Sequence, residues 1–257
     1  MARRLGQHFL AKKSILDRIT ASACGDRAPM VIEIGPGKGA LTESLLDRAD
    51  KVIAIEVDPY LVHYLRQKFQ GAIEQGRLLP IEGDVLKTDL AAWGPAVVAG
   101  NLPYYITSPI LEKIFELGRN WTRAVFLVQA EVAERLTAVP GTRDFGYLSV
   151  QTQLNARAEI LFPVSRTAFR PPPKVDSAVV SLDPRDAAAE LGIHDRAAFL
   201  RFAAACFRQK RKTLRNNLAP VYGKERVDAI PETRFRAEQL GLAGLAELYK
   251  KFDAERT

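Results

Sequence analysis

Four consecutive residues, Asn101-Leu102-Pro103-Tyr104, end the apolar run Pro95-Ala96-Val97-Val98-Ala99-Gly100. Their types suit the handling of a planar amine. The amide oxygen of Asn101 and a backbone carbonyl at Leu102 or Pro103 can accept both N–H bonds of one exocyclic nitrogen. An amine such as adenine N6 is a poor nucleophile, because its lone pair is delocalised into the ring. Held by two acceptors, it becomes more tetrahedral and attacks an electrophile more readily. Proline suits the turn, since its φ is preset and it brings no donor. Tyr104 can stack on the base and favour the positive charge that develops on the amine. No strong general base is required, because the substituted amine loses its proton easily. A base taken from a helix must be unstacked and turned out, so a further stacking surface is expected. Phe169, in Phe169-Arg170-Pro171-Pro172-Pro173-Lys174-Val175, is the candidate, on a loop that its prolines keep stiff and extended. Alone, such a tetrapeptide is a common turn and such a phenylalanine is more often core.

A glycine-rich turn lies upstream. Glu33-Ile34-Gly35-Pro36-Gly37-Lys38-Gly39 follows an apolar run and opens a helical pattern. Gly35 and Gly37 allow a sharp turn and bring backbone close to a ligand at the carboxyl edge of a sheet. Glu56 ends the next apolar run, placed to accept hydrogen bonds from the ribose hydroxyls of a nucleoside cofactor. Gly35-x-Gly37-x-x-Ala40 also fits a loose dinucleotide fingerprint, which keeps NAD open. Two features favour S-adenosylmethionine. Gly35-Pro36-Gly37-x-Gly39 resembles the first motif of class I methyltransferases. Gly83-Asp84 follows the third strand, where that family meets the adenine amine of its cofactor; Asp84 can also cap a helix beginning near Leu86.

Elements that position these residues follow from the alternation of apolar runs and helical patterns. Strands are expected at 30–34, 52–55, 78–81, 96–99 and 124–128, with helices between them; Asp58 caps one of these helices and Pro59 takes its first position. This order predicts a Rossmann-like α/β fold with a mostly parallel sheet covered on both faces. Runs at 147–154, 159–164 and 175–182 read as late, partly antiparallel strands. Asp183-Pro184 marks a boundary. Beyond it, helical patterns fall at about 195–208, 210–218, 224–229 and 236–253, punctuated by Pro220 and Pro231. The expected division is an α/β domain over 1–183 and a small helical domain over 184–257.

Positive charge concentrates at the chain's ends. The 257 residues carry a net charge of +7. Residues 184–257 hold 15 Lys/Arg and 10 Asp/Glu, and residues 1–13 hold Arg3, Arg4, Lys12 and Lys13 with no acid. A near-neutral body with basic flanks suggests a polyanionic partner. Arg208, Lys210, Arg211, Lys212 and Arg215 form the densest cluster and are natural phosphate contacts. Two distant cysteines, Cys24 and Cys206, with no apolar signal segment, predict a reducing, cytoplasmic setting. No metal-ligand spacing and no membrane-spanning run is present in the sequence.

Taken in order, Leu5-Gly6-Gln7-His8-Phe9-Leu10, Glu33 to Gly39, Glu56, Gly83-Asp84, Asn101 to Tyr104, Phe169 to Val175 and Phe207-Arg208-Gln209-Lys210-Arg211-Lys212-Thr213-Leu214-Arg215-Asn216-Asn217-Leu218 resemble the ribosomal RNA adenine dimethyltransferases. The likeness spans nearly the whole chain and is to the small-subunit enzymes rather than their drug-resistance relatives. It implies a class I S-adenosylmethionine-dependent methyltransferase fold with a C-terminal helical domain. It implies N6,N6-dimethylation of two adjacent adenines in the 3′-terminal hairpin loop of 16S rRNA, on the small ribosomal subunit or its precursor, during subunit assembly. Carried over by residue, the cofactor contacts would be His8, Leu10, Gly35, Glu56, Asp84 and Asn101. A monomer is the simpler expectation.

Overall fold

The computed structural model describes residues 9–10, 12–103 and 106–253. In chain order the elements are β1 (Phe9–Leu10), α1 (Lys13–Cys24), β2 (Ala28–Ile34), α2 (Ala40–Arg48), β3 (Ala49–Glu56), α3 (Pro59–Lys68), α4 (Gln70–Glu74), β4 (Leu78–Glu82), β5 (Ala96–Asn101), α5 (Thr107–Glu116), β6 (Trp121–Gln129), α6 (Ala130–Thr137), α7 (Tyr147–Asn155), β7 (Ala156–Val164), β8 (Phe169–Arg170) and β9 (Ser177–Pro184), then helices α8 (Ala187–Glu190), α9 (Arg196–Cys206), α10 (Leu214–Tyr222), α11 (Lys224–Asp228) and α12 (Ala237–Asp253).

The described residues up to Ala133, with Glu159–Pro184, form one compact unit. Its sheet runs β4-β3-β2-β5-β6-β9-β7. The pairs β3–β4, β2–β3, β2–β5 and β5–β6 are parallel, and β9 joins β6 antiparallel. Strands buried on both faces need apolar side chains in both directions, which is why Val31, Ile32, Ile53, Val98 and Val125 are all fully enclosed. Chain order reverses at β2, between β3 and β5, which opens a crevice at the carboxyl ends of the strands. Asp58 caps α3 through a 2.9 Å bond accepted from the Tyr60 N–H, with Pro59 in the first turn, as expected. β1 and β8 form a separate two-stranded ribbon with Leu10 opposite Phe169.

The second unit comprises Glu134–Ala158 and the described residues from Arg185 onward. It therefore takes in 134–158, a segment the sequence reading placed in the α/β domain. Residues 147–154 are also not a strand: they form α7, which packs on α8, α9 and α12. Ser149, Val150, Gln151, Thr152, Leu154 and Asn155 are all buried there, so this helix shows no polar stripe. Aromatic rings fill the unit's centre. Tyr222 and Phe252 lie 4.6 Å apart between centroids, and Phe199 meets Tyr249 edge-on at 5.6 Å. Pro220 lies inside α10 rather than ending it.

Candidate active site

Four parallel strands bring their carboxyl ends to one edge of the sheet. There β2 runs into Gly35-Pro36-Gly37, β3 ends in Glu56, β4 leads to Gly83-Asp84, and β5 ends in Asn101. All of these residues line one cavity of about 490 Å³, together with Leu10, Leu102 and Pro103. Its size lies in the usual range for small-molecule sites.

Backbone geometry at the glycine turn depends on residue type. Gly37 has φ 57°, a region that favours glycine, and its N–H donates to Glu56 Oε2 at 3.1 Å. A Cβ there would also sit 3.0 Å from the Phe9 ring. Gly100 is required for a different reason: a Cβ would lie 2.5 Å from the Ile34 carbonyl oxygen on the neighbouring strand.

Glu56 is 4% exposed. Its Oε1 accepts from the N–H groups of Val57 (2.9 Å) and Asp58 (3.1 Å), and its Oε2 from Gly37. A carboxylate offers roughly four acceptor positions, so about one remains for an incoming hydroxyl. Asp84 Oδ1 accepts from the Leu86 N–H at 3.0 Å and stabilises the turn over 84–88. No helix begins at Leu86, so Asp84 caps a turn rather than the helix expected.

At the tetrapeptide, the Leu102 N–H donates to the Leu127 carbonyl at 3.1 Å, which ties the turn to β6. The Pro103 carbonyl already accepts from Ile106 N and from Thr107 Oγ1, each at 3.1 Å. No described residue donates to the Leu102 carbonyl. Among the described residues, then, the Pro103 carbonyl accepts two hydrogen bonds and the Leu102 carbonyl none.

Glu33 carried no assigned role in the sequence reading. It is 1% exposed, lines the cavity and accepts from Thr42 Oγ1 at 2.6 Å. Burial pushes its carboxyl up to about 8; the Thr42 bond opposes this and the nearby Glu56 adds to it. At neutral pH it is mainly protonated. Its signal in the sequence was a lone acid next to the end of an otherwise apolar strand, which is expensive unless the acid is neutral or paired.

The structure does not bring Phe169 to the cavity wall. Its side chain is 2% exposed and belongs to the core cluster with Leu16, Ile19 and Phe162. Burying a ring of that size gives about 2 kcal/mol, which holds it there. His8 and Tyr104 lie outside the described residues, as do Arg3 and Arg4.

Lys12 and Lys13 are exposed at the start of α1. In the second unit, Arg208, Lys210, Arg211 and Lys212 are exposed on the turn between α9 and α10, not on a helix face. Arg215 stands apart: its guanidinium makes two bonds to Asp228, at 2.5 and 3.0 Å. Asn217 is 3% exposed and fixes the turn, accepting from Gln209 N and donating to the carbonyls of Cys206 (2.8 Å) and Gln209 (3.2 Å). Its role was not legible, since nothing local marks an Asn that bonds eight to eleven residues back.

Both cysteines are buried and free, with thiols pushed up by burial, Cys24 to about 11. Among the described residues no cluster of His, Cys, Asp and Glu could hold a metal, and no helix is long and apolar enough to cross a membrane.

Comparison with known proteins supplies independent findings. The family model "Ribosomal RNA adenine dimethylase" matches residues 1–243. A protein of Chlorobium luteolum named ribosomal RNA small subunit methyltransferase A is 41% identical over 251 residues, covering 96% of this chain and 88% of its own. A dimethyladenosine transferase from Plasmodium falciparum superposes with TM-score 0.80 at 26% identity, covering 97% of this chain and 98% of its own. The 23S rRNA methyltransferase ErmE superposes with TM-score 0.67 at 29% identity, covering 95% of this chain and 99% of its own.

Proposed function

Because this chain belongs to the ribosomal RNA adenine dimethylase family, and is thereby an S-adenosylmethionine-dependent methyltransferase of class I fold, we propose that it dimethylates N6 of two adjacent adenines in the 3′-terminal hairpin loop of 16S rRNA during small-subunit assembly. The observation that carries this reading is the convergence of Asn101 and Leu102 with the Gly35–Gly37 turn, Glu56 and Asp84 on one cavity. The small-subunit assignment is supported by whole-chain relatives bearing that name, including one in Acidobacterium capsulatum at 42% identity over 260 residues.

The residues present fit the methyl donor. Glu56 retains acceptor capacity for a ribose hydroxyl, and Asp84 keeps one carboxylate oxygen for an adenine amine. The Gly35–Gly37 turn leaves backbone, not side chain, beside the ligand, and Leu10 and Leu102 add apolar wall. Bound there, S-adenosylmethionine supplies an electrophilic methyl on a cationic sulfur. His8 completes the cofactor set by resemblance.

The chain's own residues then act on the acceptor. Asn101 Oδ1 and the Leu102 carbonyl take the two N–H bonds of N6, which orients the nitrogen lone pair away from the ring plane. The Pro103 carbonyl is committed to Ile106 and Thr107, so it holds the turn rigid rather than binding substrate. Tyr104 stacks on the base. Phe169 reaches the opposite face only if the β1–β8 ribbon shifts. After the first transfer N6 keeps one N–H, so a single acceptor holds the second-round substrate while the new methyl occupies the other position. The proton leaves to water, since Glu33 is mainly protonated at neutral pH and is no base there.

The exposed cations Lys12, Lys13, Arg208, Lys210, Arg211 and Lys212 hold the phosphate backbone, with Arg3 and Arg4 added from the sequence. Arg215 is withdrawn from this set by its pairing with Asp228. The test is methylation of unmethylated 30S subunits against protein-free 23S RNA. Dimethyladenosine in 16S rRNA alone supports the reading; methylation of 23S alone overturns it.

A further inference from the structure

A second cavity, of about 320 Å³, lies on the first unit between the start of α1 and the turn over 163–168. We propose that it is a subsite for one backbone phosphate of the RNA strand whose adenine enters the methyl-transfer cavity. The proposal rests on the RNA reading above and adds a binding site to it.

The donor set selects an anion. Lys12, Ser14, Arg18, Ser165 and Thr167 contribute the polar lining, and no carboxylate is among the lining residues. Arg18 makes no ion pair among the described residues; its guanidinium instead lies 3.6 Å from the centroid of the Phe162 ring. Stacking on a ring occupies the flat face of the guanidinium and leaves its in-plane N–H groups for a ligand. Ser165 Oγ and Thr167 Oγ1 share one hydrogen bond at 3.0 Å. One hydroxyl proton is used in that bond, so the other is free to donate. Asp176, the acid beside this turn, is already taken by Arg166, through its N–H at 2.9 Å and its Nε at 3.0 Å.

Backbone adds to the same field. The first turn of α1 has no acid and no side-chain cap. The Lys12 carbonyl accepts from Ile15 and Leu16, and among the described residues no acceptor is present for the Lys13 and Ser14 N–H groups. Among the described residues, this 12-residue helix thus presents its positive pole without a cap. Two fixed positive charges, several hydroxyl and amide donors and no acid make a phosphate site, not a cation or carbohydrate site.

Position ties the pocket to the reaction. Leu16 and Ile19 of α1 line the methyl-transfer cavity, while Lys12, Ile15 and Arg18 line this one. The two cavities are separated by one helix, about 10 Å across. A phosphate gripped here anchors the strand close to its extruded base.

Arg18→Gln, Arg18→Lys and Thr167→Val, in the full-length protein, test this. The probe is an unmethylated RNA hairpin with the 3′-terminal sequence of 16S rRNA, titrated over a salt series, with S-adenosylmethionine affinity measured beside it. For Arg18→Gln, the slope of log K against log salt should flatten by roughly 0.7 to 0.9, one phosphate's worth. Arg18→Lys loses the ring stack but keeps the charge, and should retain the wild-type slope. Thr167→Val should weaken binding without changing the slope, and cofactor affinity should stay unchanged in all three. An Arg18→Gln slope equal to wild type, while wild type still forms dimethyladenosine, overturns the subsite alone. Wild type forming no dimethyladenosine on unmethylated 30S subunits means that the RNA reading has failed and the subsite with it. A slope lost equally in Arg18→Lys also overturns the proposal, because it traces the effect to the Phe162 packing.

Discussion

Replacing Glu33 with Gln should make the protein more stable as pH rises, relative to wild type. In the folded chain the Glu33 carboxyl is held up to about 8, against an ordinary value of 4.5, chiefly because burial disfavours its charge. The unfolded chain ionises Glu33 near its ordinary value. The folded state therefore binds the extra proton between those limits, and unfolding releases it. A raised value contributes stability that is complete below pH 4.5 and is lost as pH climbs through 8. Each pH unit in that window costs about 1.4 kcal/mol, so from pH 5 to pH 7 wild type loses about 3 kcal/mol through this one group. Glutamine keeps the shape and an oxygen to accept from Thr42, 2.6 Å away in wild type, but it does not titrate. Urea unfolding of both proteins, run in parallel from pH 5 to 8, isolates the effect, because groups remote from Glu33 cancel in the difference. The difference should grow by about 3 kcal/mol between pH 5 and 7, or roughly 6–12 °C if followed by melting temperature. A flat difference across that window would refute the reasoning and mean that Glu33 is ionised in the fold.

Three other outcomes are expected. Asn101→Ala should lower methyl transfer about 100-fold or more, through loss of orientation, with RNA binding largely intact; transfer at the wild-type rate in a single-turnover assay would remove Asn101 from the mechanism. Gly100→Ala drives a Cβ to 2.5 Å from the Ile34 carbonyl oxygen, a backbone atom of the paired strand β2, and should cost about 1–3 kcal/mol; an unchanged melting temperature would contradict that packing. Neutralising Lys210, Arg211 and Lys212 together should weaken RNA binding and flatten its salt slope by about 2, whereas Arg215→Gln should leave the slope near wild type; the reverse pattern would place Arg215 rather than the turn at the RNA.

Much of the first unit was legible because its central strands are enclosed on both faces. Residues 30–32, 52–55 and 96–99 had to be continuous apolar runs, and the carboxyl ends of their strands had to carry the polar site. The same logic failed for 147–154. A helix buried all round loses its 3.6-residue stripe, and Val150 and Thr152 mimic strand alternation. The 134–158 segment was assigned by its neighbours in sequence, whereas its partners are α8, α9 and α12. Phe169 shows a different limit: composition places an aromatic near a site but does not tell a wall from a core. Arg215 shows another, since its partner Asp228 is 13 residues away on a separate helix. The choice between the Leu102 and Pro103 carbonyls needed hydrogen-bond occupancy, which no sequence pattern carries.

The central claim concerns which atom on which RNA receives the methyl group. Unmethylated 30S subunits incubated with methyl-labelled S-adenosylmethionine, digested to nucleosides and mapped along the RNA, address it directly. The account predicts N6,N6-dimethyladenosine at two adjacent positions of the 3′-terminal hairpin loop of 16S rRNA, formed more slowly by about 100-fold or more in Asn101→Ala. Label in 23S rRNA alone, or on any base atom other than adenine N6, would contradict it.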